Sequence, residues 1–230
     1  MNTLTDFWLP EKCAICGNPP KALCAECSAR FPLRKREVRR KSGLVSGPEQ
    51  IGVSVSDYEG PAVELVHAFK RQGSRHLTRF MAQALADAVA AQLTGLSSEG
   101  RTAPTQVGLV PVPSRADSFR RRGFVPSQLL AAAVATRLRS VFAVEARVAN
   151  LARLTRKVQD QALLSLQGRQ ANLSGAMSGV PCPTAFGAEK RRVVLIDDVV
   201  TTGATLIELN RAVSESGWEP LFFATFSETL

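Results

Sequence analysis

Strands alternating with helices through residues 51–230 predict an α/β fold, a mostly parallel sheet flanked by helices, with a small four-cysteine zinc module at the N-terminus. Two observations carry this. Val193-Val194-Leu195-Ile196 is apolar at every position, as a strand buried on both faces must be, and Leu206, Leu209, Asn210 and Val213 follow at helical spacing. Near the other end, Cys13-x-x-Cys16 and Cys24-x-x-Cys27 form two knuckles separated by seven residues.

In chain order, residues 1–30 read as the metal module. Tetrahedral zinc wants four thiolates, and each CxxC turn presents two sulfurs on one side of a tight loop, with Gly17, Pro19 and Pro20 supplying the bends. A pair of disulfides is the competing reading. Residues Asn2 to Trp8 show no basic start and apolar run of a secretory leader, so a reducing cytoplasm is expected and favours metal. Four sulfurs leave no open position, so the zinc is expected to be structural, and its removal to spare an independent α/β domain. Cys182, between Pro181 and Pro183, reads as a bystander. Residues 31–50 crowd Arg34, Lys35, Arg36, Arg39, Arg40 and Lys41 ahead of Ser42-Gly43 and Ser46-Gly47-Pro48, and read as a basic linker or exposed arm.

The α/β domain occupies 51–230. Ile51, Val53 and Val55 alternate as a strand, and Pro61 suits the first position of a helix with Val63, Leu65, Val66 and Phe69 on its apolar face. A longer helix spans about 76–93, and 95–104 is loop. A strand covers 107–112 and a helix 127–139. Strand-like pieces lie near 144–149 and 176–180, around a polar segment with a helix at 162–170. The strand ending at Ile196 precedes a helix reaching about Ser216, and 220–226 is a last strand.

The chemistry sits after Ile196. Asp197 and Asp198 close the apolar run, and Val199, Val200, Thr201, Thr202, Gly203, Ala204 and Thr205 lead into the helix. Small residues leave backbone N–H groups free to wrap a phosphate at a helix N-terminus, and the threonine hydroxyls add donors. The two carboxylates repel a phosphate and suit sugar hydroxyls or a divalent cation held beside the same ligand. A 5-phosphorylated ribose satisfies both halves. An ordinary strand–helix turn with acids near the helix start is the bland alternative. A second cluster, Ser114, Arg115, Arg120, Arg121 and Arg122, follows the strand ending Val112-Pro113, at the carboxyl end where α/β sheets bind ligands; guanidinium forks match pyrophosphate oxygens.

The run Asp197-Asp198-Val199-Val200-Thr201-Thr202-Gly203-Ala204-Thr205 resembles the phosphoribosyl pyrophosphate (PRPP) signature of type I phosphoribosyltransferases. Together with the doubled CxxC, it makes nearly the whole chain similar to the ComF family of competence-associated proteins, a zinc module fused to a phosphoribosyltransferase-like domain. Further matches are Val110-Pro111-Val112-Pro113, Arg122-Gly123-Phe124, Gln161-x-x-Leu164 and Arg169-x-x-Asn172. The family usually continues Arg-Gly-Phe with Asn-Gln, whereas this chain has Val125-Pro126. The resemblance implies PRPP bound with magnesium at Asp197–Thr205 and pyrophosphate held around Arg115. It also implies a mobile catalytic loop carrying Arg156 and Lys157, and phosphoribosyl transfer to an acceptor that no residue identifies.

The formal charge of +9, from 29 basic and 20 acidic residues, fits an anionic partner. No apolar run reaches the ~20 residues of a membrane span, so a soluble protein without membrane insertion is expected. Two further readings stand beside the enzyme. One is a DNA-uptake protein that binds single-stranded DNA through the arm (Arg34, Lys35, Arg36, Arg39, Arg40) and the loop (Arg120, Arg121, Arg122), alone or with other uptake proteins. The other is a regulator that binds PRPP without turnover.

Overall fold

In the computed structural model, residues 12–19, 21–41, 49–98, 104–156 and 172–229 are described. Six strands form one sheet: β1 (Arg36–Lys41), β2 (Glu49–Asp57), β8 (Glu219–Glu228), β7 (Arg192–Val200), β3 (Gln106–Pro111) and β4 (Glu145–Val148), in that spatial order. Every neighbouring pair from β2 to β4 is parallel, and only the edge strand β1 is antiparallel, against β2. The mostly parallel α/β fold expected from the sequence is borne out.

Both faces of the central strands are buried, as their unbroken apolar runs require. Val194, Ile196, Phe222, Ala224 and Phe226 face one cluster, built with α2 (Pro61–Gln72), α3 (Arg75–Ser98) and α5 (Pro126–Val141). Val193, Leu195 and Phe223 face the other, built with Leu206, Leu209, Ala212 and Val213 of α6 (Ala204–Glu215). A two-stranded sheet, β5 (Ala152–Leu154) with β6 (Met177–Gly179), lies against α6.

The connections create the cleft. β3 and β7 are hydrogen-bonded neighbours, yet β3 runs on through α4 (Ala116–Arg122) and α5 to β4, while β7 returns through α6 on the opposite face to β8. Strand order therefore reverses between β3 and β7. Chains leaving toward opposite faces open a crevice beyond the carboxyl ends.

Three expectations need correction. Residues 36–41 are a strand of the sheet, so the segment read as a linker or free arm is in part an edge element. The stretch after Ser114 is helical rather than a loop: residues 116–122 contain no Gly or Pro, and Gly123 ends α4 in the left-handed conformation at φ 77°. The cysteine module is not detached. Cys13, Ala22, Leu23 and Phe31 belong to the same buried cluster as α3 and β8, and Phe31 packs edge-on to Phe80 at 5.3 Å and against Phe226 at 5.7 Å. Smaller differences are α3 running on to Ser98, and short elements α1 (Ala25–Ala29) and β5 that the apolar pattern does not mark. The helix read at 162–170 lies outside the described residues.

Candidate functional site

β7 does not stop at the acids. Its ladder with β8 continues through Asp197 to Val200, so both carboxylates are fixed on strand backbone. Asp198 shares the period-two face of Val194 and Ile196, towards α2, and there meets Lys70: Nζ lies 2.9 Å from Asp198 Oδ1. Asp198 is 5% exposed. Asp197 Oδ1 accepts from the Asp198 backbone N–H at 2.9 Å. Burial, reinforced by the charge of Asp198, pushes Asp197 up to about 7. Burial opposes the charge of Lys70, but Asp198 and Asp197 outweigh it and hold Lys70 above the usual lysine value.

After Val200 the chain turns through Thr201 and Thr202 into α6. Gly203 occupies the N-cap at φ 80°, where a side chain would also meet Arg40: a Cβ would lie 2.8 Å from the arginine Cβ. The Ala204 N–H reaches Thr202 Oγ1 at 3.3 Å. Arg40 ties this turn to the end of β8, donating to Thr201 O at 3.0 Å, Glu228 Oε2 at 3.2 Å and Thr229 O at 2.9 Å.

A cavity of about 480 Å³ opens at the strand reversal. All nine residues from Asp197 to Thr205 line it, with Val112, Pro113 and Ser114 from the end of β3. Of the arginine cluster, Arg122 reaches the wall; Arg115 stands at the N-cap position of α4, and Arg120 and Arg121 are exposed on that helix. Pro126 is the first residue of α5 and also lines the cavity. Arg156 donates to Ser174 O at 3.0 Å. Lys157 lies outside the described residues.

Sequence reasoning missed Lys70, Tyr58 and Ser127, which complete the wall. Lys70 left a signal: it stands four residues after buried Val66, placing a charge on the apolar face of α2.

The magnesium expected beside the acids does not fit. Asp198, the buried carboxylate, already holds an ammonium at contact distance, and a divalent ion there would have to displace it. The cysteine cluster fits its metal. The four Sγ atoms lie within 4.8 Å of one another, and Cys16 and Cys24 are 3.8 Å apart, close to the ~3.8 Å separating thiolates bound tetrahedrally at ~2.3 Å. Cys13 falls to about 6, against its burial, because backbone N–H groups of Cys16 and Cys24 point at its sulfur; the Cys24 thiol drives Cys27 up to about 12. The four thiols are unbridged.

Three of the arginines expected on a free arm are paired at the sheet edge. Arg36 pairs with Asp57 at 2.9 Å, Arg39 with Glu37 at 2.7 Å and Glu49 at 3.0 Å, and Arg40 with Glu228, so these three residues neutralise acids of the sheet edge. Arg34 and Lys35 stay exposed. Between α3 and α5, Arg75, Arg79 and Arg137 flank a groove of about 460 Å³ floored by Ala82, Leu129 and Ala133. Phe124 packs where a side chain on Gly73 would be, which sets the end of α4 against the α2–α3 turn. No helix among the described residues is long and apolar enough to cross a membrane.

No protein-family model matches the sequence. The chain is similar to the DNA utilization protein YhgH of Escherichia coli K12, 28% identical over 217 residues that cover 94% of this chain and 82% of that one. The DNA utilization protein YhgH of Salmonella typhimurium LT2 is 29% identical over 208 residues, 89% of this chain and 78% of the relative. Competence protein F of Haemophilus influenzae is 29% identical over 174 residues, 74% and 69% of the two chains.

Proposed function

We propose, for a chain that is a homologue of the ComF-type competence proteins, that the cavity between β3 and β7 binds PRPP or another 5-phosphorylated ribose and supports phosphoribosyl transfer. One observation carries this reading: an acid pair, a hydroxyl-rich turn and a helix N-terminus line a single cavity at the point where strand order reverses. The 5-phosphate takes the N–H groups and hydroxyls of Thr201–Thr205, where the dipole of α6 favours an anion. Asp197 and Asp198 accept ribose hydroxyls. Ser114, just after β3, and Arg122, the last residue of α4, line the same cavity and suit the pyrophosphate, whose own magnesium would travel with it. Positioning and charge stabilisation are the contributions these residues can make to bond cleavage at the anomeric carbon. Calorimetry with PRPP tests the reading. Binding should be lost in Asp197→Asn/Asp198→Asn with the circular dichroism spectrum unchanged; unchanged affinity would sink it.

The exposed Arg75 and Arg79 of α3 and Arg120 and Arg121 of α4 favour a second reading, single-stranded DNA binding, which fits the names of the relatives. Phosphates would follow Arg120, Arg121, Arg75 and Arg79 rather than the sheet edge. Phe119, 49% exposed on α4, offers a ring for stacking. Affinity should fall with salt by a slope of roughly 0.7 per phosphate neutralised. Arg75→Ala/Arg79→Ala should flatten that slope more than Arg39→Ala does. Salt-independent affinity, or no affinity at low salt, would remove this reading.

A further inference from the structure

Two aspartates side by side on one strand ordinarily invite a divalent cation, because unneutralised carboxylates in a cleft repel each other and any anionic ligand. Here the neutralising charge comes from the chain itself. Lys70 Nζ is 2.9 Å from Asp198 Oδ1, the two side chains are 34% and 6% exposed, and both residues line the cavity with Asp197. The ammonium is not a surface charge that swings in by chance. Its stem leaves the last turn of α2 directly after Phe69, which is fully buried, and one helical turn beyond Val66, also fully buried. The packing of α2 therefore holds the lysine over the acids.

We propose that Lys70 is the fixed cation of this acid pair, so that Asp197 and Asp198 take ribose hydroxyls directly and hold no resident divalent ion. The part concerning the sugar rests on the phosphorylated-ribose reading above; the part concerning the cation does not. Magnesium binds through near-ideal octahedral geometry and sheds its water reluctantly, so it gains little from a carboxylate that already contacts an ammonium. Lys70 aims Asp198, and Asp197 lines the cavity beside it. Any magnesium needed for PRPP is then bound by pyrophosphate oxygens and arrives with the ligand. The site accordingly recognises the phosphorylated sugar itself without metal.

The test uses the full-length, zinc-loaded protein in two arms. In the first, Mn²⁺ alone is titrated and free ion is followed by electron paramagnetic resonance. Wild type and Lys70→Arg should take up no ion that Asp198→Asn removes. Lys70→Met should gain one site, lost again in Lys70→Met/Asp198→Asn. In the second, ribose 5-phosphate is titrated calorimetrically in magnesium-free buffer and with added Mg²⁺. Wild-type affinity should change by less than about twofold, while Lys70→Met should weaken roughly tenfold without magnesium and recover with it. A wild-type Mn²⁺ site abolished by Asp198→Asn overturns the proposal, as does a roughly tenfold magnesium effect on wild-type affinity. Should Lys70→Met fail to fold, the wild-type and Lys70→Arg titrations decide. If ribose 5-phosphate binds no variant, the sugar reading fails, and the Mn²⁺ arm still decides the role of Lys70.

Discussion

At the scale of single residues, the turn before α6 is held by an arginine from the edge strand β1 and by a glycine that leaves room for it. Gly203 is in the left-handed region, and its missing side chain is where the Arg40 stem runs. Gly203→Ala should therefore cost about 1–3 kcal/mol of stability in a denaturant titration and weaken ligand binding as the turn shifts. Arg40→Ala removes donors to Thr201 O, Glu228 and Thr229 O, leaving the buried Glu228 carboxylate without that partner; a loss of about 3 kcal/mol is expected. Asp197 yields a pH prediction. Its folded-state pKa of about 7 lies above the ordinary 3.8, so the folded chain binds this proton more tightly than the unfolded one. Its contribution to stability is full below the ordinary value and is lost as pH rises through about 7. Ligand-free wild type should lose stability across that window more steeply than Asp197→Asn in melts run at several pH values.

At the scale of elements, the small β5–β6 sheet is clamped to α6 through one buried carboxylate. Glu208 accepts the Met177 N–H at 2.9 Å, and Arg211 donates to both Glu208 and Met177 O. Glu208→Ala would strand that N–H and leave the arginine only Glu215 and Met177 O as partners, at about 2 kcal/mol, with faster amide exchange confined to β6 and the facing turn of α6. The elements differ in how plainly their residues announce them. β7, β3 and β8 are legible because burial on both faces forces continuous apolar runs, and α2 and α5 are legible through proline at the first turn and an apolar face. The acids themselves, Thr201–Thr205 and the four cysteines were legible by chemistry and spacing. β1 was not: Arg36-Glu37-Val38-Arg39-Arg40-Lys41 offers one buried apolar residue, and its strand state comes from pairing with β2 and from ion pairs across the edge. Nor was the continuation of β7 through two aspartates, since the ladder with β8 supplies what local propensity withholds. Lys70 lies 127 positions before Asp197, and only the tertiary fold joins them.

At the scale of the whole molecule, the cysteine module and the α/β domain share one core, which changes what metal removal should do. Cys13 is 3% exposed and Phe31 7%, and both sit in the cluster that contains Phe226 of β8 and Leu77 and Met81 of α3. Phe31, Phe80 and Phe226 form a three-ring contact in which each ring touches the other two. A module that merely hung from the domain would unfold on chelation and leave the main transition where it was. Here the loss of zinc frees the loop that sets Leu23 and Phe31 against α3, and the apolar surface they cover returns to water. Loosening Phe31 alone is worth up to about 3 kcal/mol, and in a domain of this size each kcal/mol moves the melting temperature by roughly 2–4 °C. Scanning calorimetry with a zinc chelator under reducing conditions should therefore show the principal transition itself moving down by roughly 5–10 °C, rather than a separate early transition above an unmoved one. Phe31→Ala in the zinc-loaded protein should reproduce most of that shift. An unmoved principal transition in both experiments would mean that the shared core contributes nothing, and the module would then be an independent unit after all.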